Sequence, residues 1–320
     1  MISIAMCTYN GEKFVLEQLE SFVHQTVLPD EIVIFDDNST DNTVDIVRKF
    51  KDNAPFDVRI FCNSSSVGVV HNFALAIEAC NGEYIFLSDQ DDVWLPDKIE
   101  ITMNKMLYIE ANLGDEHPIC VHTDLKVVNE ELNIMSNSFF KYQGVYHLYK
   151  KREQIKVLPV QNFVVGCTVL INKAMKDAAL PFPENVVMHD HWLSLIAACA
   201  GTLEFIDVPT INYRQHTSNT VGAHKLVSFS NFQYLVDKDR IRKNILAKYY
   251  QLLDFIKFQN GKYVPINSEL SLFRQYIDSG DVNKALGVHF CKEGFIKNLL
   301  FRVFLKIYRN YFIKKLAIGE

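Results

Sequence analysis

The chain has 320 residues, 48% hydrophobic and 12% aromatic, with a net charge of -5; this is enough apolar material for a full core and excludes an unfolded chain. Its seven cysteines, at positions 7, 62, 80, 120, 167, 199 and 291, are widely spaced and lack a Cys-x-x-Cys pair, which argues against a zinc ribbon or a disulfide framework and for a reducing, cytoplasmic compartment. Residues 1–224 hold 30 acidic and 16 basic residues whereas residues 225–320 hold 8 and 17, so the two portions are expected to face different partners, with nucleic acid not among them.

Strand and helix signals alternate along the first portion. Residues 2–7 form an apolar strand, and residues 12–25 carry Phe14, Val15, Leu19, Phe22 and Val23 at helical spacing. Residues 31–35 read as a second strand, and residues 40–50 as a helix capped by Ser39 or Thr40. A strand over 58–61, a helix over 70–79 and a strand over 84–87 follow. The order predicts an α/β fold with a mostly parallel, doubly wound sheet flanked by helices.

A boundary is expected within residues 221–230, dividing a catalytic domain, 1–224, from a basic, amphipathic helical extension, 225–320. Within the extension, Ile296, Leu299, Leu300, Val303, Phe304, Ile307 and Tyr311 share one helical face, while Arg302, Lys306 and Arg309 line another. Such a helix either docks on the catalytic domain or lies on an anionic membrane surface. The first six residues lack a basic segment before a long apolar one, and no apolar run reaches the ~18 residues of a spanning helix. The expectation is a cytoplasmic chain, at most peripheral on the inner face of the plasma membrane.

In a doubly wound sheet, ligands bind beyond the carboxyl ends of the strands. Here every exit is polar: Cys7-Thr8-Tyr9-Asn10-Gly11, Asp36-Asp37-Asn38-Ser39, residues 63–68, and Ser88-Asp89-Gln90-Asp91-Asp92. Crowding Asp89, Asp91 and Asp92 is electrostatically costly unless a cation offsets the repulsion, and hard divalent ions favour carboxylate oxygens. A metal-bound diphosphate is the simplest explanation. Asp36-Asp37-Asn38-Ser39 alone reads as an Asx turn, but in this company a carboxylate can accept the N–H of a pyrimidine ring.

Taken in order, these segments resemble the family 2 glycosyltransferases of GT-A fold, and in particular the enzymes, several of them rhamnosyltransferases, that build bacterial surface polysaccharides. The resemblance implies that Asp37 contacts the nucleotide base, that Cys7, Thr8, Tyr9 and Asn10 line the nucleotide, that Asp89 or Gln90 lies near the ribose, and that Asp91 binds a divalent metal, manganese or magnesium. In Met188-His189-Asp190-His191-Trp192, Asp190 on its own reads as a first-turn acid facing the helix dipole; the resemblance makes it the general base. It also implies that His216 completes the metal shell, that Arg214 faces the diphosphate, and that Gly166, Cys167, His189, His191 and Trp192 shape the acceptor side.

The implied activity is inverting, non-processive transfer of a sugar from dTDP-rhamnose or a UDP-hexose to a hydroxyl of a saccharide acceptor, free or lipid-linked. The alternative is a catalytically silent assembly subunit that binds sugar nucleotides. A dehydrogenase would need Gly-x-Gly-x-x-Gly after the first strand, and a pyrophosphorylase a Gly-rich basic loop. A glycoside hydrolase would need no nucleotide site. A polymerising synthase would carry spanning helices and Gln-x-x-Arg-Trp, which the sequence lacks.

Overall fold

Both faces of the central strands are apolar, and the fold covers both. In the computed structural model, which describes residues 1–143, 154–159, 161–217 and the helical positions 243, 247, 248, 250, 251, 254 and 255, alternate side chains of β1 (Ile2–Thr8) enter two different cores. Ile4 and Met6 join Ile32, Ile34 and Phe86 on one side; Ala5 and Cys7 join Val33, Ile85 and Leu87 on the other. A strand buried on both faces reads as an unbroken apolar run, which is why these segments show no alternation in sequence.

The first half follows the expected order. After β1 come α1 (Val15–Val23), β2 (Glu31–Asp36), α2 (Thr43–Lys51), β3 (Asp57–Cys62), α3 (Val69–Ala79) and β4 (Tyr84–Ser88). β3, β2, β1 and β4 lie side by side and parallel, with Thr8 level with Asp36, Asp36 with Cys62 and Met6 with Ser88. Level registers put all four exits at one edge of the sheet.

The second half makes the sheet mixed. β5 (Val93–Trp94), α4 (Lys98–Leu113), β6 (Ile119–Val128), β7 (Ile134–Ser136), α5 (Phe139–Gln143), α6 (Gln154–Val157), β8 (Leu170–Asn172), α7 (Lys173–Ala179), α8 (His189–Ala200) and β9 (Thr202–Arg214) complete the described elements. The sheet continues from β4 through antiparallel β8 to β6, β9 and β5, with β7 beside β6. β9 runs parallel to β6 and shifts register at Asp124, the partner of Pro209. Proline lacks the N–H a ladder needs, so the pairing bulges there instead of ending. Beyond the bulge, β9 carries Tyr213 and Arg214 to the acidic loop, because Asn212 pairs with Val93.

Two helix starts differ from expectation. α2 begins at Thr43 and not at residue 40, because the Asp41 carboxylate accepts from the Thr43 N–H and hydroxyl. Ser39 does not cap it; its hydroxyl donates to Asp36 and accepts from the Asn10 N–H. α1 begins at Val15 because residues 10–12 are tied to residues 39–43 through main-chain bonds to Ser39, Thr43 and Asp41.

The expected boundary within 221–230 and the helix over 295–311 lie outside the described residues. Of the positions past residue 225, Gln251 and Phe255 are fully buried and Phe255 joins the core that holds Trp192. Among the described residues, no helix is long and apolar enough to cross a membrane.

Candidate active site

A cleft of about 680 Å³ opens where the parallel strands end, and its walls include Cys7, Thr8, Tyr9, Asp37, Asp89, Gln90, Asp91, Gly166, His189 and Asp190. The opposite wall comes from residues 161–165 with Met188 at the head of α8. Stretches far apart in sequence thus converge on one space.

On the β1 side, the Asn10 backbone adopts φ 46°, and its side-chain oxygen accepts from the Thr40 N–H at 2.8 Å. Asn10 holds the loop without lining the cleft. Tyr9 is 53% exposed at the lip. Gln90 fixes it from across the gap: its Oε1 accepts from the Tyr9 N–H and its Nε2 donates to the Tyr9 carbonyl, both at 2.9 Å. The Gln90 amide thereby acts as a one-residue strand neighbour joining the acidic loop to the first exit.

Asp37 is buried at the cleft floor and accepts four hydrogen bonds. Oδ1 receives the Asn63 amide at 2.9 Å and the Val67 N–H at 2.7 Å; Oδ2 receives the Ser66 hydroxyl at 2.7 Å and the Gly68 N–H at 2.9 Å. Burial pushes its carboxyl up, but these four donors outweigh it and hold Asp37 below the usual carboxylate range, so it is ionised at neutral pH. Residues 63–68 stood out in sequence only as a polar exit; their wrapping of Asp37 depends on contacts 26 to 31 residues distant.

The acidic loop is sorted by the fold. Asp89 and Asp91 face the cleft, whereas Asp92 is fully buried behind it and accepts from the Arg214 N–H at 3.1 Å. Burial, then the charges of Asp91 and Asp190, push Asp89 up to about 7. Asp91 Oδ2 lies 2.8 Å from His216 Nε2, and the His216 ring packs on Phe14 with centroids 4.8 Å apart. Carboxylate oxygens with an imidazole beside them suit a hard or borderline divalent ion. Among the described residues, Asp89, Asp92 and Cys167 also bring one ligand atom each within 4.8 Å of one another. Asp92 and Cys167 do not line the cleft, and burial pushes the Cys167 thiol well up, so that side offers no ready thiolate.

Arg214 does not reach the cleft, contrary to the expected diphosphate contact. Its guanidinium donates to the Asp91 carbonyl at 2.9 Å, to the Glu130 carbonyl and to the Glu17 carboxylate, and lies 4.6 Å over the Phe14 ring. It braces the acidic loop from behind. Trp192 and Cys167 are likewise displaced from the expected acceptor side. The Trp192 Nε1 donates to the Ala179 carbonyl at 3.1 Å, and both residues are fully buried.

Asp190 lies in the first turn of α8 with its carboxylate on the cleft wall. Its Oδ1 accepts from the His191 N–H at 2.6 Å and from the Asn162 amide at 3.0 Å. Asn162 was not singled out in the sequence; the amide is oriented because its own oxygen accepts from the Val164 N–H at 3.0 Å. Burial pushes Asp190 up to about 7, against the pull of these donors and of the Gly166 N–H. A carboxyl poised near neutrality can hold or release a proton at working pH. His189 stacks on Phe73 at 3.8 Å and burial pushes it down to about 3, so it is neutral. A Cβ on Gly166 would come within 2.5 Å of His189 Nε2, so the close approach requires glycine. His191 points away from the cleft, its Nε2 2.5 Å from the Leu158 carbonyl.

The chain is similar to known proteins in sequence and in fold. A dTDP-rhamnosyl transferase, RfbG of Shigella flexneri, is 30% identical over 227 residues, 68% of this chain and 74% of that one. The Escherichia coli enzyme UDP-Glc:alpha-D-GlcNAc-diphosphoundecaprenol beta-1,3-glucosyltransferase WfaP is 26% identical over 252 residues, 78% of this chain and 88% of that one. In fold, the chain is similar to the mannosyltransferase PcManGT of Pyrobaculum calidifontis, solved with GDP-Man and Mn2+, at a TM-score of 0.50 and 14% identity, covering 87% of this chain and 79% of that one. The likeness in fold agrees with the GT-A architecture of the sheet. The model of Glycosyl transferase family 2 matches residues 3–176, more than half of the chain, and the chain belongs to that family.

Proposed function

We propose that this chain is an inverting, metal-dependent, non-processive glycosyltransferase that moves a sugar from a nucleoside diphosphate to a saccharide hydroxyl during bacterial surface-polysaccharide synthesis. The observation that carries this reading is the presence of Asp37, Asp91 and Asp190 on the walls of one cleft. Relatives named for dTDP-rhamnose and UDP-glucose make these two the first donors to examine, and the diphosphoundecaprenol in one name favours a lipid-linked acceptor. A basic C-terminal segment would suit an acceptor held at an anionic membrane.

The residues divide the work. Asp37 and the loop it organises face the base, while Tyr9, fixed by Gln90, covers the nucleotide. A divalent cation held by Asp91, with His216 and Asp89 beside it, would neutralise charge on the departing diphosphate. Asp190 takes the proton of the acceptor hydroxyl as that oxygen forms its bond to the anomeric carbon. The bond from that carbon to the diphosphate oxygen breaks on the opposite face, so the configuration inverts. A β-linked rhamnosyl donor would give an α-rhamnoside, and a UDP-α-hexose a β-linkage.

Unfolding temperature in the presence of nucleotide tests the donor half of this scheme. A ligand at 100 times its Kd stabilises the native state by about 2.7 kcal/mol. UDP or dTDP with Mn2+ is expected to raise the midpoint of the wild-type chain by several degrees, and Asp91→Ala to abolish the metal-dependent part. A midpoint unmoved by either nucleotide with metal contradicts the reading.

A further inference from the structure

Asp190 sits in a short stretch that the sheet does not hold. Between α7 and α8, the segment before residue 189 has no ladder partner, so something else must fix where α8 begins. That partner comes from the C-terminal portion. Gln251 is fully buried, and its Oε1 accepts the Val187 N–H at 2.7 Å. The Nε2 of the same amide lies 3.2 Å from His191 Nδ1. The other ring nitrogen of His191 is 2.5 Å from the Leu158 carbonyl, which can only accept. His191 therefore carries its proton on Nε2, and Nδ1 accepts from Gln251.

One amide thus spans both ends of the stretch that contains Met188, His189 and Asp190. The next turn repeats the attachment: Asp254 accepts from the Asn185 N–H at 3.3 Å and its amide at 2.9 Å, and Phe255 meets Trp192 edge-on at 5.8 Å. Positions 251, 254 and 255 share one helical face, and that face lands on residues 185–192. Positions 251, 254 and 255 are therefore seated on the segment that carries the candidate base.

We propose that Gln251 is a positioning residue for Asp190, acting through Val187 and His191, and that the catalytic unit includes this part of the C-terminal portion. The inference rests on the transferase reading given above. Removing the amide leaves the Val187 N–H and His191 Nδ1 without partners and frees the stretch to shift. A displacement of about 1 Å at a reacting group costs on the order of 10²-fold in rate.

The test uses the full-length chain with dTDP-rhamnose and UDP-glucose in Mn2+, following release of the nucleoside diphosphate. Gln251→Leu is expected to lower kcat about tenfold or more while donor KM stays within about twofold, because Asp37 and Asp91 are untouched. Val58→Ala removes core packing at the start of β3, away from the strand exits and from residues 185–192, and is expected to lower the unfolding temperature while keeping kcat within about twofold. If Gln251→Leu is insoluble, Gln251→Met, which keeps most of the volume but loses both hydrogen bonds, is held to the same criterion. Retention of wild-type kcat by the Gln251 variant overturns the proposal, as does an equal loss in Val58→Ala or a rise in KM that accounts for the whole effect. A wild-type chain that turns over no donor is a separate result: it removes the transferase reading and this proposal with it.

Discussion

Asp190 owes its proposed role to where it is buried. Its carboxyl, raised to about 7, is protonated in acid and unable to accept a hydroxyl proton there. kcat/KM is therefore expected to rise about tenfold per pH unit below 7 and to level off above it; a profile flat between pH 5 and 9 contradicts the assignment. The same shift acts on stability. The folded pKa lies above the unfolded value of about 3.9, so the folded chain holds the extra proton between about pH 4 and 7, and the stability this carboxyl contributes is lost as pH rises through that window. Asp89 shifts in the same direction. At this scale the sequence told unevenly. Asp190 was recognisable as an acid at a helix start, whereas the bracing role of Arg214 was not, because its partners Glu17 and Glu130 lie 197 and 84 residues away.

Elements place these residues, and their registers matter more than their lengths. β9 continues past Pro209 because the bulge at Asp124 absorbs the missing donor, and only that continuation delivers Arg214 and His216 to the acidic loop. The parallel half was readable from its apolar runs and polar exits. The helix starts were not, since Ser39 and Thr40 read as the caps, whereas Ser39 is engaged by Asn10 and Asp36 and it is Asp41 that holds the Thr43 N–H and hydroxyl. The pairing of Gln90 with Tyr9 couples two exits, and it can be broken with one atom. Gln90→Glu removes the donor to the Tyr9 carbonyl and sets a carboxylate against it. Donor KM is expected to rise about tenfold, in line with a lost and reversed hydrogen bond, while kcat changes less; steady-state kinetics with an unchanged donor KM would show that the Tyr9 loop does not bind nucleotide.

At the scale of the molecule, two cores clamp one sheet, and the cleft opens at its carboxyl edge, with Cys7 and Phe73 of one core on its wall. That division was visible in the sequence pattern: apolar runs fill the two faces of the strands, and the polar exits that follow them hold Asp37, Asp89 and Asp91. What composition could not show is that part of the basic C-terminal portion packs on α8, since burial of Gln251 and Phe255 depends on tertiary contact with His191 and Trp192. The central claim is that the aspartates of this cleft share one reaction, with donor held by some and the acceptor proton taken by another. Titration of Asp190→Asn with donor and Mn2+, alongside its turnover, tests that division most directly. Donor affinity within about twofold of wild type with turnover lower by about 10² to 10⁴ is the predicted result; near-normal turnover, or donor binding lost together with it, would contradict the account.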